Sequence, residues 1–105
     1  MHKSRLGGFI IDCNSDDLDA ADRTLDTPAD QPHLEVQRVA HPSRVHLDIE
    51  ADDIEAEVGR LEKLGARRIG PVATWYVMEA PTGQHFCVVR AQRTDFDAEA
   101  NTWND

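Results

Sequence analysis

The chain has 105 residues, about one domain's worth. Its 20 Asp+Glu against 11 Lys+Arg give a net charge of −9, a sign that repels phosphate backbones and anionic headgroups and argues against nucleic-acid and membrane-surface roles. Hydrophobic residues at 40% with charged residues at 30% describe a soluble globular chain, with no apolar run near the ~20 residues of a transmembrane helix.

In chain order, Met1–Arg5 leads into Leu6–Ile11, which is interrupted by two glycines and too short for a signal peptide's apolar core. A strand is expected over Phe9–Cys13. A short helix with Leu18, Ala21 and Leu25 on one face follows, then a Pro/Asp loop over Asp26–Pro32 and a strand over Leu34–Val39. The acidic run Asp16–Asp22 lacks the Gly and terminal Glu of a calcium loop and fits negative charge at a helix start.

Val45, Leu47 and Ile49 then alternate with Arg44, His46 and Asp48, the pattern of a half-buried strand. Asp52 is expected as an N-cap with Glu55 three residues on, a capping box. Ile54, Val58, Leu61 and Leu64 form the helix's apolar stripe, and Gly65 supplies a left-handed stop. A strand near Arg67–Ile69, a Gly70-Pro71 break, a strand over Thr74–Met78, a Pro81-Thr82-Gly83 turn and a last strand over Phe86–Arg90 complete the order β-α-β-β-β. In the tail, Phe96, Ala100 and Trp103 recur at i, i+4 and i+7. This amphipathic segment is expected to dock on its own domain or on a partner subunit.

The chain also repeats itself. Residues 10–20 align with 46–56 at an offset of 36, with Asp12/Asp48, Asp16/Asp52, Asp17/Asp53 and Ala20/Ala56 identical. His33–Arg38 aligns with His85–Arg90 at an offset of 52, so the first copy is 16 residues shorter between its helix and its closing strand. It therefore reads as β-α-β, with its middle hairpin missing or vestigial.

Two βαβββ units in tandem, with Arg44–Val58, Leu61–Ala66, Met78–Val89 and Gly8–Cys13 as the matching stretches, resemble the vicinal oxygen chelate superfamily. The resemblance is to its glyoxalase-like branch, which includes bleomycin-resistance proteins. It implies a single α+β domain over 1–105: module 1 about 5–40, truncated to β-α-β, module 2 about 44–91, and a tail over 92–105. Six strands and two helices are expected, in curved mixed sheets around a cleft. Carried over by position, the superfamily's metal sites fall on Ile10 and Glu35 in the first copy and on His46 and Cys87 in the second. Glu35 and His46 are ligand types, whereas Ile10 cannot ligate and Cys87 replaces a carboxylate.

Alternation alone puts Phe9, Ile11 and Cys13, Leu34 and Val36, and Phe86 and Val88 toward a helix. It leaves Asp12, His33, Glu35, Gln37, His46, Asp48, His85 and Cys87 on the opposite, concave face. That face is either open and solvated; or a divalent metal site (Zn, Ni, Fe or Mn) on His46 and Glu35, with Cys87 or Asp48 as an extra ligand; or a metal-free pocket for a small polar molecule, with His46 on a carboxylate that raises its pKa. Nothing in the sequence sets a basic residue beside Cys87, so its thiol is expected to be inert. At period 2, Tyr76 and Met78 share a face while Trp75 points the other way; either side is core or cavity wall, core packing being the default for an aromatic, and His2 and His41 carry no role.

The leading expectation is a small-molecule-binding protein with no cofactor. The rivals are a metal-dependent lyase, isomerase or dioxygenase-like enzyme using His46 and Glu35, and a dimeric interaction module with a vestigial cleft. A missing hairpin leaves sheet edge exposed, so a homodimer is expected to complete the cleft. Two cysteines suit a reducing cytoplasm.

Overall fold

Strand β1 (His2–Cys13), twelve residues long, is the axis of the sheet. Around it lie β2 (Arg23–Leu25), β3 (His33–Arg38), β4 (Arg44–Ala51), helix α1 (Ile54–Lys63), β5 (Arg67–Val72), β6 (Trp75–Glu79), β7 (His85–Arg90), the short α2 (Phe96–Glu99) and β8 (Asn101–Trp103). This computed structural model describes residues 1–14, 23–25, 27–28, 31–72, 74–91, 93 and 95–104. The strands form one mixed sheet in the order β2-β3-β1-β4-β7-β6-β5, with β8 added to the start of β1. Among the described residues the sheet has eight strands where six were expected, and it is continuous through the β1–β4 pair. Among the described residues no helix is long and apolar enough to cross a membrane.

A bulge in β1 decides which residues face which side. Its ladder with β4 changes register between Leu6 and Gly8. Before the bulge Ser4 is partnered by Ala51, and both are buried on the side covered by α1. After it Ile10 is partnered by His46 and Asp12 by Arg44, on the opposite face. Even-numbered residues therefore serve both faces of one strand. His2 and Ser4 belong to the α1 side, and Ile10 and Asp12 to the concave side.

The main core is Ala51, Val58, Leu61, Met78 and Val88, with Ile49, Ile54, Tyr76 and Phe86 packed against it. Gly65, at φ +105°, ends α1 as expected, a conformation only glycine adopts cheaply. Asp53, rather than Asp52, caps the helix: its carboxylate accepts the Ala56 N–H at 3.1 Å. Asp52 instead accepts the Lys3 N–H at 2.8 Å, so a tertiary contact takes the side chain that the local pattern assigned to the cap. Leu64 is 67% exposed, one turn beyond the stripe that reaches the sheet.

Other expectations are corrected by pairing. Leu25 lies in β2, partnered by Leu34, and not on a helix; Leu18, Ala21 and residues 15–22 of the acidic run lie outside the described residues. Strand β5 continues through Gly70-Pro71 by a register shift between Arg68 and Gly70. Proline is tolerated there because β5 is the last strand of the sheet and one side of it needs no donors. The tail is helical only over Phe96–Glu99; Asn101–Trp103 pair with His2–Ser4, which covers an edge of β1 that would otherwise lack partners. Phe9, expected to face a helix, is 39% exposed, and Val45 and Leu47 of the alternating strand are exposed too, beyond Ile49, which packs against the core under α1.

Candidate functional site

The concave face encloses a cavity of about 700 Å³. Strand register builds its floor. Glu35 of β3, Ile10 of β1 and His46 of β4 lie in one row, Ile10 being the direct partner of both others. Asp48, one inward step along β4, is partnered by Gly8 on one side and Cys87 of β7 on the other. Asp12, His33, Glu35, Gln37, His46, Asp48, His85 and Cys87 all line this one cavity.

The floor differs from the rim. Asp12 is 2% exposed, and its Oδ2 accepts from His46 Nδ1 at 2.8 Å. The other ring nitrogen, Nε2, lies 3.5 Å from Asp48 Oδ1. Asp48 and Cys87 foremost, with Asp12 and against the opposing effect of burial, push the His46 pKa up to about 10. The ring is thus an imidazolium at neutral pH. His41 Nε2 and Arg44 Nε each stand 3.7 Å from Asp12 Oδ2, whereas Asp12 Oδ1 is buried with no hydrogen-bond partner. At the rim, His33 is 3.4 Å from Glu35 and His85 is 3.2 Å from Glu79, all in partly solvated positions. The open, solvated description suits these rim pairs and fails for Asp12 and His46.

Could a divalent ion sit here? His46, Asp48 and Cys87 each offer a ligand atom, and the three atoms lie within 4.8 Å of one another. Nitrogen, carboxylate and sulfur are ordinary zinc donors, and a carboxylate on the far ring nitrogen is the usual support of a ligating histidine. The donor chemistry fits. The superfamily's four positions are not all filled, because Ile10 offers no donor and stands between Glu35 and His46. Two strand spacings separate those two backbones, roughly 9–10 Å.

Several residues escaped the sequence analysis. His41 and Arg44 reach Asp12 from the loop before β4 and from its first residue, and no periodicity marks that approach. Trp75 and Val77 line the cavity while Met78 is in the core and Tyr76 packs against it, which decides between the two faces that alternation on β6 separates. His2 is buried against Glu57 at 2.7 Å. Cys87 does have a basic neighbour, His46, supplied by an adjacent strand.

A mixed, open, strand-dominated sheet with few helices among the described residues is the fold of a glyoxalase-type domain. The glyoxalase-like domain family matches residues 6–89, and the chain belongs to that family. No curated protein matches it.

Proposed function

We propose that the chain binds a small polar molecule on its concave face, without a resident metal. The observation that carries this reading is the Asp12–His46 pair, a buried carboxylate holding a half-buried imidazolium at the floor of a cavity large enough for a small organic ligand. Unpaired buried charge is costly, and a fixed imidazolium with a half-satisfied carboxylate suits recognition of a polar group. In this reading the two halves are tandem modules. β1-β3-β2 and β4-β7-β6 share one pairing pattern, parallel then antiparallel, and among the described residues the first half shows no counterpart of β5. That shortfall leaves one side of the cavity open and supports a homodimer completing it. Light scattering at micromolar concentration is expected to give twice the chain mass, and a monomer would refute the dimer. Cys13 and Cys87, both free thiols, support a reducing, cytoplasmic setting.

A thermal-shift screen of small metabolites tests the main reading. A ligand of the folded state raises Tm, and His46→Gln or Asp12→Asn removes the shift. No shift with any compound counts against a working cavity and for an interaction module with a vestigial cleft.

The His46–Asp48–Cys87 cluster favours one second reading, a metal-dependent lyase, isomerase or dioxygenase-like enzyme. Stoichiometric Zn, Ni, Fe or Mn in the purified protein, lost in His46→Ala, would replace the metal-free reading with this one.

A further inference from the structure

The cavity has two unlike sides. On the β1–β4 side each of its four lining carboxylates already meets a basic group. Asp12 and Asp48 face His46, Glu35 faces His33, and Glu50 meets Arg5 Nε at 2.5 Å and Arg93 Nη2 at 3.7 Å. The β5–β7 side is apolar. Val77 is partnered by Cys87 and Gly70, Trp75 by Val72, and Val89 by Glu50. Val72, Trp75, Val77 and Val89 all line the cavity as an uncharged wall, and none of them is fully buried. Arg90 stands at the end of this wall, next after Val89 on β7. It lines the cavity and is exposed, and among the described residues its guanidinium has no hydrogen bond or ion pair. Arg5 and Arg93 balance Glu50 and Asp95, so Arg90 leaves this end of the cavity one positive charge in excess, on a chain of net charge −9.

We propose that the cavity takes an organic anion with a flat apolar body, an aryl carboxylate in its simplest form, with the carboxylate on Arg90 and the ring on the Trp75 wall. This rests on the small-molecule reading and gives that ligand a chemical class. The planar guanidinium offers two parallel N–H donors to the two oxygens of a carboxylate, a match that a neutral amide does not make. The ring takes apolar surface of Trp75, Val77 and Val72 out of water, and Val72 alone is 44% exposed without it. A cation lacks any unengaged carboxylate at this end, because Glu50 is held by two arginines. Ala51, the ladder partner of Arg90, is five residues from His46 on β4, about 17 Å along the strand. A ligand anchored at Arg90 therefore extends along the wall toward the Asp12–His46 pair, which is placed for a polar group at its far end.

The test titrates benzoate, phenylacetate and para-hydroxyphenylacetate, each beside its primary amide, into the full chain at neutral pH by calorimetry. At least one acid is expected to bind about tenfold more tightly than its amide. In Arg90→Gln that acid is expected to fall to the affinity of the amide, and Arg90→Lys is expected to recover part of the difference. Trp75→Leu is expected to weaken acid and amide alike, and circular dichroism checks that each variant keeps its fold. Acids that bind no better than their amides overturn the proposal without recourse to any variant. So does a preference for the acid that survives Arg90→Gln. A thermal-shift response confined to neutral or cationic compounds sinks the anion and leaves the binding cavity standing, whereas no response to any compound counts against the cavity itself and takes this proposal with it. Light scattering on Trp75→Leu covers the other occupant: a dimer in the wild type that is lost in this variant makes the wall a contact between two copies, and overturns the ligand's place on it.

Discussion

Asp12 and His46 meet across neighbouring strands, Oδ2 to Nδ1 at 2.8 Å, although neither is the other's ladder partner. The diagonal works because both point to the concave face, two residues out of register. Its consequence is a pH signature. His46 titrates at about 10 in the folded chain and near 6.5 when free, so between those values the folded state holds a proton that the unfolded state has lost. The stabilisation is complete below about pH 6.5 and is lost as pH rises toward 10. The unfolding free energy of the wild type, from urea titrations, is expected to fall over that window by on the order of 3 kcal/mol. In His46→Gln this alkaline decline is expected to flatten. An unchanged decline would place the titration elsewhere.

Gly8 and Gly59 should respond to alanine in opposite directions. A Cβ on Gly8 would stand 2.6 Å from the His33 carbonyl oxygen and 3.0 Å from His33 Cβ, so backbone in β1 or β3 must move. Gly8→Ala is expected to destabilise by ~2–3 kcal/mol and to displace the His33–Glu35 pair at the cavity rim. Gly59 lies within α1, and a methyl group there would meet nothing within 4 Å. At this position Ala relieves a backbone entropy cost, and a gain of ~0.5–1 kcal/mol is expected. Paired chemical denaturation of the two variants checks both signs.

Much of the second half was legible in the sequence, because its signals are local. Gly65 stops α1 where its left-handed preference predicts, and alternation along β4 and β7 sorts His46, Asp48 and Cys87 from Ile49 and Val88. What escaped was set by contacts between distant segments. The bulge near Gly7 reverses the parity of β1, so alternation measured from Phe9 carries no information about His2 or Ser4. Asp52 and Asp53 are equally good caps on paper, and only the Lys3 N–H decides between them. The tail's helical spacing lost to strand pairing because β1 presents an edge at His2–Ser4. His41 and Arg44 reach Asp12 from a different strand and its preceding loop, a juxtaposition that no spacing encodes.

Glu57 is fully buried on the opposite side of the sheet, and its neighbours predict an acid limb. Burial, the largest single influence, raises its pKa, but Arg60, His2 and Ser4 together hold it below the usual carboxylate range. The lowered direction means that Glu57 stabilises the fold above its unfolded pKa, near 4.5, and that this is lost as pH falls through the folded value. Glu57→Gln is expected to weaken the fold at pH 7, by ~2–3 kcal/mol, because it leaves Arg60 and His2 facing a neutral amide. As the pH falls through the folded value of Glu57, below the usual carboxylate range, the variant and the wild type should converge. Thermal unfolding followed from pH 7 into the acid range compares them directly.

Trp103 closes this network from the tail. Its indole N–H donates to Ser4 Oγ at 2.8 Å, and the Arg60 guanidinium lies over its ring at 3.9 Å while also gripping Glu57 through two bonds of 2.8 and 2.7 Å. The ring thus covers one side of an ion pair whose carboxylate has no access to water. Trp103→Ala removes the stacking, the hydrogen bond and the cover together, and a loss of ~2–4 kcal/mol is expected. Trp103→Phe keeps a ring over Arg60 but cannot reach Ser4, so its loss should be nearer ~1 kcal/mol. Trp75, in the cavity wall, remains as a fluorescent reporter of unfolding in both variants. If β8 is held mainly by its ladder with His2–Ser4, the two substitutions will cost the same small amount; a graded series, Ala well below Phe and Phe below wild type, assigns the tail's grip to the indole.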